Sequence, residues 1–228
     1  MLRHFSCHNT RHGGAWRWIA VAALSASCFV PSLVAATSYA PTAAATLRGP
    51  TPEIDGCAGP SDFGRTYLGA VWPGGFHAVP VYSNGISGSF TDCLHSTRTP
   101  KGHWVVDGYE WQCVELVDRL YLAKGWIGST WLGNGDQMFY TAPRSLRRQR
   151  QGAITRVASG DVISFNGPAA DPDGHAAVIA RVRGRFLTIV NQDTGAGAVL
   201  SHAWLRRRRI EMVGWAGWSP IGVVDRPS

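Results

Sequence analysis

The stretch "HAAVIARVRGRFLTIVNQD", His175 to Asp193, holds two apolar runs joined by Arg183, Gly184 and Arg185. Runs of this length and β-branched content, broken by a glycine, predict a β-hairpin. With a three-residue loop, Val182 faces Phe186. Counting outward then brings His175 opposite Asp193, with Asn191 two residues along on the same face. A two-residue loop shifts the pairing and still leaves Asn191 and Asp193 beside the histidine. An amide or carboxylate placed there can hold one ring nitrogen and leave the other to accept a proton. Upstream, "GDVISFNG" (Gly160 to Gly167) reads as a short strand between turn residues, and a last strand is expected around "IEMVGWAGW".

Before these strands lies "YEWQCVELVDRLY", Tyr109 to Tyr121. Cys113, Leu116, Val117, Leu120 and Tyr121 recur at three and four residues, with Glu115, Asp118 and Arg119 off that face, which predicts an amphipathic helix. Asp107 and Glu110 are spaced as a capping box, and Lys124-Gly125 is a stop signal. Cys113 then falls in the first turns, where backbone N–H groups and the helix dipole favour a thiolate. A helix followed by an antiparallel sheet makes the fold class α+β.

At the N-terminus, Arg3, Arg11 and Arg17 precede an apolar run, Trp18 to Ala36, with no acidic residue before Glu53. Small residues at Val34 and Ala36 suit cleavage, so residues 1–36 read as a signal peptide. A retained membrane anchor of about 19 residues is the competing reading, weakened by Pro31. Residues 37–66, rich in Ala, Thr and Pro, read as a flexible linker, and 67–228 as one domain. An exported chain keeps Cys57, Cys93 and Cys113, an odd number. Cys57 and Cys93 lie in loop-like sequence, so a Cys57–Cys93 disulfide with Cys113 as the free thiol is the simplest pairing.

The 228 residues carry a net charge of +7, with 45% hydrophobic and 16% charged residues, which excludes a disordered chain. Loss of residues 1–36 removes three arginines and no acid, leaving +4. That suits an anionic cell surface and does not argue for nucleic acid. The run Arg206 to Arg209 sits between apolar groups and reads as a solvated turn. "DPDG" (Asp171 to Gly174) is too short for a calcium loop and reads as a turn presenting His175; no metal is expected.

"GYEWQCVELVDRLYL", Gly108 to Leu122, resembles the nucleophile segment of the CHAP family, the cysteine/histidine-dependent amidohydrolases and peptidases. It is most similar to the amidase domain of glutathionylspermidine synthetase/amidase. "VPVYSNG" (Val79 to Gly85), "VASGDVISFNG", "GHAAVIARV" and "LTIVNQD" follow the family's order. The resemblance implies a papain-like (NlpC/P60-type) fold with the nucleophile on a helix packed against an antiparallel sheet. It implies Cys113 as nucleophile, His175 as general base and later acid, and Asn191 as orienter, with Asp193 as the other candidate. Gln112 is a candidate oxyanion donor, and Tyr82, Ser83 and Asn84 a candidate substrate contact. For an exported member it implies hydrolysis of peptidoglycan amide bonds by a monomer without cofactor. A non-wall amide is the enzymatic alternative. A wall-binding module using Trp126, Trp131 or Trp204 is the non-enzymatic one.

Overall fold

A computed structural model describes residues 46–47, 62–72, 76–77, 79–85, 92–194 and 199–228. The segment 1–36 and Cys57 lie outside the described residues, and no described helix is long and apolar enough to cross a membrane. Before the helix come short strands: β1 (Thr46–Leu47), β2 (Thr66–Leu68), β3 (Val71–Trp72), β4 (Phe76–His77), β5 (Val81–Tyr82), β6 (Cys93–Arg98) and β7 (Trp104–Tyr109). Then come α1 (Cys113–Ala123) and the single turn α2 (Met138–Thr141). The chain ends in β8 (Arg148–Arg150), β9 (Val162–Asn166), β10 (His175–Arg183), β11 (Phe186–Val190), β12 (Leu200–Arg206), β13 (Arg209–Met212) and β14 (Ser219–Val224). Strand outweighs helix, and a β-layer stands on both sides of α1 in sequence. This differs from the expected simple order of helix then sheet.

The large sheet runs β13-β12-β11-β10-β9-β14-β8, with antiparallel neighbours throughout. It curls on itself: Gly152 and Ile154, just past β8, donate backbone N–H groups to the Arg208 carbonyl, and Ile210 N–H donates to the Gln151 side chain. One face of the sheet (Ile163, Phe165, Ala177, Ile179, Leu187, Ile189, Ala203) packs inside this curl. On the other face Val162, Ala176, Val178 and Val190 meet Leu116, Val117, Leu120 and Tyr121 of α1. Alternation along each strand thus serves two apolar layers, as expected for strands buried on both sides.

The hairpin forms with a two-residue loop, Arg183 facing Phe186. An extra residue, Ala180, then shifts the ladder between Ile179 and Arg181, so that Val178 faces Val190. The bulge cancels the effect of the shorter loop. Beyond the ladder the count returns to the register that sets His175 against the Asn191–Asp193 end.

The helix stops where expected, at Lys124, followed by Gly125 at φ 67°. Its start differs. Gln112 is the N-cap, without a side-chain cap, because Asp107 and Glu110 belong to or follow β7 and Asp107 turns to His95. Nor is α1 amphipathic in effect: Glu115, Asp118 and Arg119 are all buried, since β6 and β7 cover the polar face. Of the strand expected around "IEMVGWAGW", Ile210 to Met212 lie in β13, Val213 to Trp218 form a loop with Gly214 and Gly217 at positive φ, and the last strand is β14. Asp62 to Thr66, read as linker, belong to the packed structure: Asp62 accepts from Tyr67 and Ser83, and Thr66 pairs with Tyr82.

Gly135 fixes where β10 begins. A Cβ there would lie 2.4 Å from the His175 backbone, which no side chain can yield to. Gly135→Ala should cost about 1–3 kcal/mol through overpacking. The thermal midpoint should fall by roughly 3–10 °C, and an unchanged midpoint would refute this close approach.

Candidate active site

Cys113 opens α1 and is 7% exposed. It is a free thiol, while Cys93 is in a disulfide whose partner lies outside the described residues. The sulfur meets the start of β10: the N–H of Ala176, next to His175, and that of Val114 both point at it and favour the thiolate. Burial outweighs them, with the Asp193 charge adding to it, and the thiol is pushed up to about 12. The helix-start effect expected from sequence is present but loses to desolvation.

His175 is buried, and its ring is flanked by Phe165, Trp215 and Trp218 at centroid distances of 6.1, 5.4 and 5.7 Å. Burial lowers its pKa to about 4, opposed by Asn191. The Nε2–H donates to Asn191 Oδ1 at 3.3 Å. That assignment follows from the amide oxygen being an acceptor only, and it leaves the Nδ1 lone pair to accept a proton. Asn191 Nδ2 donates in turn to Ser201 Oγ at 2.7 Å, which fixes the amide's orientation. The resting pair is therefore neutral thiol and neutral imidazole.

Of the two candidate orienters, Asn191 reaches the ring, and Asp193 instead accepts from Asn84. Gln112 sits immediately before Cys113, half-buried, with its carbonyl held by Gln192 Nε2 at 3.0 Å. Tyr82, Ser83 and Asn84 do not form a common groove wall. Ser83 is fully buried, with its hydroxyl engaged by Asp62, Tyr67 and the Gly85 N–H, and Asn84 is buried on Asp193. Tyr82 keeps some exposure and lies against Trp111 with the Arg119 guanidinium 4.9 Å over its ring. Among the tryptophans of the binding-module reading, Trp131 is core, Trp126 packs on Tyr121, and Trp204 is 36% exposed.

Behind Cys113 lies a charged cluster that no motif announced. Glu115 accepts from Arg119 Nε at 2.6 Å and from Gln192 Nε2 at 2.7 Å. Arg119 also donates to Gln192 Oε1 at 3.0 Å, and His95 Nδ1 lies 2.9 Å from Asp107 and 3.4 Å from Glu115. Burial would lower the His95 pKa, but these two carboxylates win and raise it to about 9. Burial likewise opposes the Glu115 charge, and Arg119 with His95 overcomes it, holding Glu115 below its ordinary value. His95, Asp107 and Glu115 bring donor atoms within 4.8 Å of one another, the donor set of a small cation site. Two carboxylates already face two cationic side chains there, so the cluster is balanced without an ion.

Separately, Asp118 is raised to about 9 by burial, against the Trp131 N–H it accepts, and is protonated at neutral pH.

A neutral Cys113–His175 pair has two measurable signatures. Iodoacetamide alkylation of Cys113 should rise with pH through the neutral range, with no fast plateau at acidic pH; such a plateau would show a preformed ion pair. For the fold, His175 binds no proton between about 4 and 6.5 when folded, whereas the unfolded chain does. Its stabilising contribution is thus complete above 6.5 and lost as pH falls toward 4. In His175→Gln the slope of stability against pH in that window should be smaller by about one proton, read from urea melts at several pH values.

Residues 104–193, which contain Cys113, His175, Asn191 and the buried cluster apart from His95, match the model of the CHAP domain. Comparison with curated proteins gives no match. Among solved structures, the chain is similar to "The crystal structure of Ly7917 with the hydrolyzing product of MDP", at 17% identity and a TM-score of 0.22. That similarity covers 32% of this chain and 29% of the other, so the chain spans under a third of that structure's length. The match to the CHAP domain thus spans the segment from β7 to just past β11.

Proposed function

We propose that this protein is a secreted cysteine amidohydrolase or peptidase that cleaves amide bonds of peptidoglycan. The observation that carries the reading is a convergence inside the CHAP match: a thiol at a helix start meets the N–H of Ala176, the residue after a histidine whose Nε2 is held by an asparagine. The amide class rests on that site, and the wall substrate and export rest on residues 1–36 and the basic charge.

The neutral resting pair sets the order of events. As Cys113 Sγ attacks the carbonyl carbon, its proton passes to His175 Nδ1, so thiolate and imidazolium arise together in the transition state. Asn191 Oδ1 accepts from the Nε2–H throughout and keeps the ring in this tautomer. The Cys113 backbone N–H stabilises the developing oxyanion. Collapse breaks the C–N bond, His175 protonates the departing amine, and a thioester remains. Water, deprotonated by His175, attacks the thioester, and the acid product and free thiol are released.

Purified peptidoglycan incubated with the protein should release fragments that mass spectrometry identifies, and Cys113→Ala should release none. Release by both proteins would eliminate Cys113 as nucleophile; release by neither would eliminate the wall substrate. Free muramoyl ends indicate an amidase, new peptide amines an endopeptidase. Asn191→Ala should lower kcat by roughly 100-fold or more, since the ring loses its fixed tautomer. The acid limb of kcat/KM should lie near the His175 value of about 4, well below the ordinary imidazole value. Asn191→Asp should move that limb to higher pH, because a carboxylate stabilises the imidazolium.

A further inference from the structure

The end of the large sheet opposite His175 is built against its own local preferences. Register places the β10–β11 and β12–β13 turns together there: Phe186 faces Trp204, and Leu205 N–H donates to the Arg185 carbonyl at 2.8 Å. The two turns present Arg183, Arg185, Arg206, Arg207, Arg208 and Arg209, all exposed. The acid recorded against them is Glu211, 3.8 Å from Arg206 and itself half-exposed.

Three features of the second turn are unfavourable in themselves. Arg206 and Arg209 stand directly opposite across the strands, a like-charge pair that destabilises a hairpin. The two loop residues, Arg207 and Arg208, both take positive φ, 47° and 63°. This is the conformation of a tight hairpin loop, which Asn-Gly adopts freely and arginine only under strain. The backbone cannot relax, because the Arg208 carbonyl accepts from Gly152 and Ile154 where the sheet closes. A turn that sets like charges opposite each other and breaks backbone preference, offset among the described residues only by Arg206 with Glu211 and Trp204, marks a functional surface. It is more than the solvated turn expected from sequence, since Arg206 and Arg209 belong to strands and a second arginine turn lies alongside.

We propose that this end of the sheet is a binding site for a linear polyanionic glycan, a sugar or polyol polymer bearing phosphate or carboxylate groups. Guanidinium groups in a row match such oxyanions by bidentate hydrogen bonding. A membrane surface fits less well: Trp204, although partly exposed, is covered by Arg206 5.1 Å over its ring and met edge-on by Phe186 at 4.9 Å, which holds it in the sheet rather than free to insert. That this glycan shares a surface with the amide substrate rests on the function proposed above; the arginine site does not. By register the two sites occupy opposite ends of the sheet, so polymer can be held at one end while an amide is cleaved at the other.

The test uses the full chain on immobilised poly(glycerol phosphate) and polygalacturonate, with single-stranded oligodeoxynucleotide and phosphatidylglycerol vesicles as competing probes. Wild type should be retained on one or both polymers, with retention falling steeply as salt rises. Arg207→Asn/Arg208→Gly should lower retention roughly thirty-fold, about five-fold per arginine. The same variant should melt higher by roughly 2–6 °C as strain is relieved. Arg183→Gln/Arg185→Gln should also lower retention, without that gain. Unchanged retention in both variants would overturn the site, as would binding only to vesicles or only to the oligonucleotide. Peptidoglycan release is assayed in parallel: polymer retention without release would sink the proposed hydrolase and leave the site standing, and release without retention would do the reverse.

Discussion

The charge of Glu115 constrains everything around it. A carboxylate with no exposed surface is tolerated only when its oxygens are fully engaged. Its partners come from separate parts of the chain: Arg119 one turn along α1, His95 from β6, and Gln192 from beyond β11. Gln192 is itself saturated. Its oxygen accepts from Arg119 and the Tyr82 N–H, and its nitrogen donates to Glu115 and the Gln112 carbonyl. A single amide thus joins the residue before Cys113 to the residue after Asn191. Cys113 and Asn191 are positioned together because one buried charge must be satisfied.

Satisfying that charge has a consequence two residues away. Helix α1 is covered on every side, so Cys113 lies in an environment that favours its neutral form, and the same burial keeps His175 neutral. Burial of both groups opposes a standing ion pair. The aromatic wall of Phe165, Trp215 and Trp218 excludes water around the His175–Asn191 hydrogen bond and strengthens it.

Short-range pattern revealed the parts whose physics is local. The period of Cys113 to Tyr121, the stop at Gly125 and the hairpin around Gly184 are set within a few residues, and the structure has them. What pattern missed depends on a distant partner. Asp107 resembles a helix cap by spacing, but it bonds His95 on the neighbouring strand. Glu115 and Arg119 look solvent-facing, as most charges off a helix stripe are, because nothing local announces the β6–β7 layer above them. The bulge at Ala180 is invisible in "VIARV", and without it the two-residue loop would shift the pairing of His175 by one residue. Ser201 and Gln192 have no motif, since their roles follow only from where Asn191 and Gln112 end up.

The two ends of the sheet show how differently one scaffold can treat polar groups. At the His175 end, Asn191 and Ser201 are buried and matched, and glycines such as Gly135 admit close backbone approach. At the Arg206–Arg209 end charges are exposed, alike in sign and held in strained backbone. Fold stability explains the first arrangement, because an unmatched buried amide would cost more than the packing gained. It cannot explain the second, since Asn-Gly at 207–208 would serve the hairpin better. A feature that folding alone would remove persists only for something outside the fold, and six arginines leave an oxyanion as its natural complement.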